Sequence, residues 1–305
     1  MILLRYITFI DPDGNTSIGL LKNNHVYDFR SINNEQLPTT MLDFMKNHEQ
    51  FTPLIADTLT SQSPTYEQNE VTLLPPIPTP PSIRDFMAFE EHIVNATKQS
   101  GITLADEWYE IPAFYFTNHL ALSGHKQTIV RPRDCKALDY ELEIACVIGK
   151  EGINITADEA EDYIFGYTIL NDWSARDLQM KEMKVGLGPA KGKDFATSIG
   201  PAIVSKDELD SFRIGDKYDL SMKATVNGKE LSKGNFKDIH YSFGQMIERA
   251  SSGVRLYPGD IIGSGTVGTG CLLELGRDVH RWLEPGDVIE LEIEGIGKLL
   301  NTIVE

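Results

Sequence analysis

Cysteine, basic residues and long apolar runs are all scarce in this sequence of 305 residues. Its three cysteines, Cys135, Cys146 and Cys271, are odd in number and widely spaced, which excludes a disulfide framework and the common zinc motifs. With 28 basic against 45 acidic residues the formal charge is −17, which argues against binding to nucleic acid or to an anionic membrane. No apolar run is long enough to cross a bilayer, and residues 3–9 alternate like a strand rather than a signal peptide. We therefore expect a cytoplasmic protein with reduced thiols.

The pattern of turns and apolar residues divides the chain into two parts. Residues 1–74 predict a small N-terminal α/β accessory domain, with strand-like pieces at 3–10, 17–21 and 26–29 and a helical pattern from Met41. The proline-rich segment 75–81 predicts a stiff linker. Residues 82–305 contain many short strand patterns, one of them ending at the hairpin signal Asn227-Gly228. This distribution predicts an α+β, β-rich fold.

Two glutamates, one residue apart, lie within a segment rich in apolar residues at 138–148, which predicts one buried strand. Because side chains alternate along a strand, Glu141 and Glu143 would share one face, with about 6.6 Å between them along the backbone. Two buried carboxylates repel each other and are costly without a partner. A hard divalent cation would neutralise them, and Asp172, which follows another apolar run, offers a third carboxylate. The pattern indicates a metal enzyme.

Five motifs in order resemble the fumarylacetoacetate hydrolase family, in the manner of a bacterial-type member. The resemblance covers roughly residues 82–305 and consists of Glu141-x-Glu143, the block 171–179, the segment 187–195, Ser264-Gly265-Thr266 and the segment 272–275. It implies a rolled, mixed β-sheet catalytic domain that dimerises and acts on a small keto acid. It also implies Mg²⁺, with Mn²⁺ or Ca²⁺ as alternatives, held by four carboxylates: Asp85, Glu141, Glu143 and Asp172.

The resemblance further implies a catalytic pair, in which His92 activates water and Glu274 orients the imidazole. It assigns Lys193, Arg176 and Gln179 to binding substrate oxygens or a tetrahedral oxyanion. Thr266 matches a residue that contacts the substrate carboxylate, and Tyr115 is predicted to do the same. These assignments suit hydrolysis, because a cation can polarise a 1,3-diketone while the His–carboxylate pair takes a proton from water.

Several of these residues have simpler explanations when taken alone. The helical pattern around His92 also fits a structural or surface histidine, and Lys193 also fits a solvated turn. Arg176 could form an ion pair with its neighbour Asp177, and Glu274 could be an ordinary strand residue. Trp108 is compatible with a substrate lid or with packing of a loop on the core.

Three functions therefore remain open at the level of sequence. The first is a metal-dependent hydrolase that cleaves a carbon–carbon bond in a β-diketo acid of the fumarylacetoacetate or acylpyruvate type. The second is an oxaloacetate decarboxylase, or a hydratase or tautomerase of a keto acid, on the same fold. The third is a metal-binding ligand sensor without turnover. Met87 and Met183 stand where close relatives of the tyrosine-catabolism enzyme carry tyrosines, which argues against fumarylacetoacetate itself as the substrate.

Overall fold

A computed structural model describes residues 5–31, 37–61, 63–101 and 103–305. The helices are α1 (Met41–Lys46), α2 (His48–Ser61), α3 (Glu90–Ser100), α4 (Arg176–Met183), α5 (Phe243–Ser251) and α6 (Leu272–Leu275). The strands are β1 (Arg5–Ile10), β2 (Thr16–Lys22), β3 (His25–Asp28), β4 (Tyr66–Glu67), β5 (Thr72–Leu73), β6 (Ile83–Phe86), β7 (Phe114–Phe116), β8 (Leu122–Ser123), β9 (Thr128–Val130), β10 (Leu138–Asp139), β11 (Glu143–Ile148), β12 (Ile164–Asp172), β13 (Ser174–Ala175), β14 (Thr197–Ser205), β15 (Arg213–Ile214), β16 (Lys217–Tyr218), β17 (Ser221–Val226), β18 (Lys229–Asn235), β19 (Ile261–Gly263), β20 (Val288–Ile293) and β21 (Gly297–Val304).

The strands form one large mixed sheet, a smaller five-stranded sheet and two two-stranded sheets, β10 with β13 and β15 with β16. The main path of the large sheet is β4-β3-β2-β1-β14-β12-β11-β19-β6-β7, and the smaller sheet has the order β18-β17-β20-β21-β9. Most pairs are antiparallel, but β19 pairs with β6 in parallel, as β21 does with β9. Among the described residues no helix is long and apolar enough to cross a membrane. The architecture belongs to the α+β, β-rich class that the sequence predicts.

The N-terminal strands continue the large sheet that is formed by strands of residues 82–305. β1 pairs antiparallel with β14, with Arg5 opposite Val204, and the Thr8 hydroxyl donates to the Pro76 carbonyl at 2.6 Å. Apolar side chains of the N-terminal helices, such as Phe44, share one cluster with residues of the large sheet. The boundary between an accessory domain at 1–74 and a catalytic domain at 82–305, with a linker at 75–81, therefore stays a prediction about folding units.

Alternation along β11 separates two layers of the core. Ile144, Cys146 and Ile148 lie in the cluster that includes the smaller sheet, whereas Ala145 and Val147 lie in the cluster that includes the N-terminal helices. Side chains point to opposite faces of a strand in turn, so a strand covered on both sides is apolar throughout. This burial on both faces explains the nearly continuous apolar run after Glu143.

The prediction of one continuous strand over 138–148 is wrong. Residues 138–139 form β10, which pairs with β13, and β11 begins only at Glu143 and pairs with β12 and β19. Between them the Glu141 N–H donates to Asn171 Oδ1 at 2.9 Å, and the Leu142 N–H donates to the Gly270 carbonyl at 3.0 Å. The backbone leaves one sheet and enters another there, because hydrogen-bond partners outside any strand ladder hold this junction.

Candidate active site

The ends of three neighbouring strands bring acidic side chains together. Asp85 of β6 lies opposite Gly263 of β19, and Gly263 in turn lies opposite Ala145 of β11. A Cβ atom on Gly263 would lie 2.4 Å from Asp85 Oδ1, so only glycine leaves room for this carboxylate. Carboxylate oxygens of Asp85, Glu141 and Glu143 all lie within 4.8 Å of one another, and all three residues are buried.

Lys193 links these three carboxylates to the fourth predicted one, that of Asp172, and we call the four residues together the acidic cluster. Its Nζ donates to Glu141 Oε2 at 2.5 Å and to Asp172 Oδ2 at 2.6 Å. The lysine is only 4% exposed, which excludes the solvated turn. Burial lowers the pKa of Lys193, but the charges of Asp172 and Glu141 outweigh it and raise the pKa above its ordinary value. The ammonium therefore stays charged.

The donor set fits a hard divalent cation. Among the described residues, Glu143 Oε2 and Asp172 Oδ1 are buried and have no hydrogen-bond partner. Burial, followed by the charge of a neighbouring aspartate, raises the pKa values of Asp85 and Glu143 well above their ordinary range. Such carboxylates need a counter-charge, and oxygen ligands are those that Mg²⁺, Mn²⁺ and Ca²⁺ accept. The acidic cluster could thus hold a divalent metal ion.

Arg176 fixes Glu141 from the other side. At the start of α4, it donates from Nη2 to Glu141 Oε1 at 2.8 Å, from Nε to Asp139 Oδ2 at 2.9 Å and from Nη1 to Gln179 Oε1 at 3.1 Å. It contacts these three rather than Asp177. Burial tends to raise the pKa of Glu141, but Lys193 and Arg176 lower it below its ordinary range. Glu141 is therefore held as a carboxylate.

The predicted catalytic pair is present next to the acidic cluster. His92 on α3 and Glu274 on α6 are both buried, with His92 Nδ1 at 2.7 Å from Glu274 Oε1. The other carboxylate oxygen accepts from the Thr269 N–H at 2.8 Å and from Asn95 Nδ2 at 3.2 Å. His92 is close enough to Glu141 to influence the pKa of that carboxyl group. Glu274 thus orients the histidine ring with one oxygen, while its other oxygen is fixed by two hydrogen-bond donors.

Thr266 and Tyr115 also lie at the carboxylates. The Thr266 hydroxyl is 3.4 Å from Glu143 Oε1, and the Tyr115 hydroxyl donates to Asp172 Oδ2 at 2.5 Å. Burial and the charge of Asp172 raise the pKa of Tyr115, so its hydroxyl keeps its proton. Trp108 is buried, and its indole N–H donates to the Met87 carbonyl at 2.9 Å. That contact favours packing of this loop on the core over a lid.

The structure adds residues that sequence reasoning missed. Asp139 is fully buried and accepts from Arg176 and from the Leu272 and Leu273 N–H groups, at 2.8 Å and 3.1 Å for the latter two. Asp139 thus connects the arginine of the acidic cluster to the helix that carries Glu274. Asn95 lies one turn after His92, and this spacing places both side chains on one side of α3. The spacing is the feature of the sequence from which Asn95 could have been identified.

Several known proteins are similar to this chain in sequence. The model of the fumarylacetoacetate (FAA) hydrolase C-terminal domain matches residues 82–304. A mitochondrial oxaloacetate tautomerase of Bos taurus is 31% identical over 272 residues, 88% of this chain and 81% of the relative. The oxaloacetate tautomerase YisK of Bacillus subtilis is 33% identical over 242 residues, 78% of this chain and 75% of the relative.

Solved structures show the same fold over the full length. A probable 2-hydroxyhepta-2,4-diene-1,7-dioate isomerase of Mycobacterium abscessus has a TM-score of 0.76 at 26% identity, covering 99% of this chain and 98% of that chain. Maleylpyruvate hydrolase of a Sphingobium species, solved with manganese(II) and pyruvate, has a TM-score of 0.75 at 23% identity, covering 99% of each chain. The family match spans most of the sequence, and the predicted resemblance is confirmed: the chain belongs to the fumarylacetoacetate hydrolase family.

Proposed function

We propose that this protein is a divalent-metal-dependent hydrolase that cleaves a carbon–carbon bond in a small β-diketo acid of the fumarylacetoacetate or acylpyruvate type. The observation that carries the proposal is the His92–Glu274 pair, buried beside the acidic cluster at a 2.7 Å separation. A site that only bound a keto acid would need the cation and an anion-binding group, but no oriented proton acceptor. Mg²⁺ is the proposed cation, with Mn²⁺ or Ca²⁺ as alternatives, and the homodimer that the resemblance implies stays a prediction.

The chain's own groups supply the proton transfers. Since Glu274 accepts from His92 Nδ1, the Nε2 atom is left to take a proton from water, and Glu274 offsets the charge of the imidazolium that forms. The hydroxide adds to the substrate carbonyl, the carbon–carbon bond breaks, and the departing carbon takes a proton while the acyl fragment leaves as an acid. A cation held by Asp85, Glu141, Glu143 and Asp172 would polarise the keto oxygens and stabilise the charge that develops.

Positive side chains around Glu141 support binding of an acid. Lys193 and Arg176 both contact this carboxylate, so the site has cationic groups within a chain whose net charge is −17. Gln179 contacts Arg176, and we propose that these three residues orient substrate oxygens. Thr266 and Tyr115, held at Glu143 and Asp172, are proposed to contact the substrate's acid group.

Oxaloacetate tautomerase is the second candidate. It is favoured by the curated relatives in cattle and Bacillus subtilis, which carry that name and match this chain over 88% and 78% of its length. Keto–enol exchange needs a proton acceptor and a stabilised enolate, which the same residues provide, but it needs no attack by water. The two candidates therefore differ in whether a carbon–carbon bond is broken.

The test is turnover of acetylpyruvate, fumarylacetoacetate and oxaloacetate by metal-loaded protein, with and without EDTA. We expect loss of diketone absorbance together with release of pyruvate from acetylpyruvate. EDTA should abolish it, and His92→Ala should lower kcat by roughly 100-fold or more, the usual effect of removing a general base. The matched control is His25→Ala, because this half-exposed histidine on β3 is paired with Glu67 and lies outside the site.

Other outcomes of this test would assign the protein a different function. Decay of enol oxaloacetate without pyruvate, with both diketones untouched, would establish the tautomerase. Pyruvate from oxaloacetate alone would indicate a decarboxylase. Full diketone hydrolysis by His92→Ala would contradict the proposed role of the histidine, because no proton acceptor would then be needed at that position.

A further inference from the structure

A thiol completes a second cluster of metal-ligating groups next to the acidic one. Cys271 Sγ lies 3.4 Å from Glu274 Oε1, the same oxygen that is 2.7 Å from His92 Nδ1. Ligand atoms of the three residues all lie within 4.8 Å of one another, and all three residues are buried. Glu274 therefore receives two donors, an N–H and an S–H, at one oxygen.

The two clusters differ in the cations that they suit. The acidic cluster offers only oxygen, the ligand of hard cations. His92, Cys271 and Glu274 offer nitrogen, sulfur and oxygen, the set that Zn²⁺ takes in proteins at about 2.0–2.3 Å from each atom. Ligands at such distances are separated from one another by roughly 3–4 Å in a tetrahedral arrangement. The 3.4 Å between Cys271 Sγ and Glu274 Oε1 already lies in this range, whereas His92 Nδ1 and Glu274 Oε1, at 2.7 Å, would have to move apart.

We propose that His92, Cys271 and Glu274 form a second metal site, for a thiophilic cation such as Zn²⁺, and that occupation of this site inhibits the enzyme. The inhibitory part rests on the proposed function of His92, whereas binding of the cation does not. The remaining coordination position would be filled by water, as in zinc sites with three protein ligands.

The proton balance explains why the bound cation inhibits. Cys271 gives up its thiol proton to solvent, Glu274 binds through a carboxylate oxygen, and His92 moves its proton from Nδ1 to Nε2 so that Nδ1 can bind. With Nε2 protonated, the imidazole can no longer accept a proton from water. Burial, with the charge of Asp139, raises the pKa of the Cys271 thiol well above its ordinary value. The thiol thus stays protonated until a cation displaces the proton.

Cobalt(II) provides a test that is independent of turnover. In protein saturated with Mg²⁺, Co²⁺ should produce a near-ultraviolet thiolate-to-cobalt charge-transfer band, which Cys271→Ser should lack. The matched control is Cys146→Ser, since Cys146 is equally buried but lies on β11 outside the cluster. Retention of the band in Cys271→Ser, or absence of any band in the wild type, would overturn the proposed site.

Inhibition by Zn²⁺ is then compared within each variant. The Zn²⁺ concentration that halves the activity should rise roughly 10-fold or more in Cys271→Ser relative to its own uninhibited rate, and should be unchanged in Cys146→Ser, since loss of one ligand weakens binding by about this factor or more. Equal sensitivity in all three proteins would mean that Zn²⁺ acts at the acidic cluster. If Cys271→Ser does not fold, Cys271→Ala takes its place, with the thermal transition as the check. A cobalt band in a protein that turns over none of the substrates would refute the proposed function and leave the metal site standing.

Discussion

At the scale of single residues, the predicted site residues come together, whereas the residues that hold them in place were not found from the sequence. Lys193 is buried between Glu141 and Asp172, and Arg176 contacts Glu141. The order of motifs along the chain can identify such residues, because each residue lies in a short segment that is recognisable from the sequence alone. Asp139 belongs to the same segment as Glu141, but its partner Leu272 is 133 positions away along the chain. A contact of that kind depends on the tertiary fold and leaves no local signal.

Replacement of Asp139 by asparagine tests the connection between the two halves of the site. Asp139→Asn puts an amide N–H group against the donors of Arg176 or of the α6 backbone, which leaves buried donors without an acceptor. We expect the free energy of unfolding to fall by on the order of 3 kcal/mol. Metal affinity or kcat should fall roughly 10–100-fold, as for other residues that orient metal ligands. Chemical denaturation and a Mn²⁺ titration measure these two effects.

Asp177→Asn is the matched control for this change. Asp177 adjoins Arg176 in sequence, but its carboxylate accepts from the backbone N–H groups of Lys136 and Leu178 and does not contact the arginine. It should lose much less stability and none of the metal affinity. If both variants behave alike, the contacts of Asp139 have no special influence on the acidic cluster.

At the scale of elements, local turn chemistry predicted some boundaries well and one poorly. Asn227 and Gly228 both have positive φ, at 52° and 77°, and connect β17 to β18 as the hairpin signal predicts. Such a turn is specified by two adjacent residues. The break between β10 and β11 has no comparable signal, since Tyr140, Glu141 and Leu142 look like strand residues. Their conformation is set by distant partners, which a sequence pattern does not contain.

A carboxylate in the turn before β20 should make stability depend on pH. Asp287 accepts two hydrogen bonds from Arg281, at 2.6 Å and 2.9 Å, one from the Glu284 N–H and one from Asn227. Burial raises the pKa of Asp287, but these hydrogen bonds outweigh it and lower the pKa from 3.8 to about 2. The folded state therefore favours the ionised form, and the stabilisation is fully present above the unfolded-state pKa and lost as the pH falls toward 2.

The measurement is the free energy of unfolding of wild type and Asp287→Asn between pH 3 and pH 6. The difference between the two proteins should be largest above about pH 5 and should shrink as the pH falls to 3. Asp216→Asn, in the exposed turn between β15 and β16, makes the same charge change without those partners. A difference for Asp287→Asn that stays constant over this range would show that its carboxylate is not specially stabilised when ionised.

At the scale of the whole molecule, the acidic cluster lies where separate parts of the chain meet. Its carboxylates come from β6, from the junction before β11, from the first residue of β11 and from the end of β12, so they meet only when the large sheet is assembled. The fold class followed from the spacing of short strands and turns. The order of strands in the sheet did not, because pairings such as β19 with β6 join segments that are far apart in sequence. Metal binding and folding should therefore be coupled.

Metal addition should raise the thermal stability of the whole protein. A cation would satisfy Glu143 Oε2 and Asp172 Oδ1, which are buried without partners among the described residues, and would relieve the repulsion between the carboxylates. At a Mg²⁺ or Mn²⁺ concentration 100 times Kd, linkage gives about 2.7 kcal/mol, which is roughly 4 °C in Tm for a chain of this length. EDTA should reverse the shift. Glu143→Gln removes a ligand and should lose it, whereas Glu292→Gln, on β20 outside the cluster, should keep it. An equal shift in both variants would place the cation elsewhere, because a cation held by the acidic cluster loses affinity when the charge of Glu143 is removed.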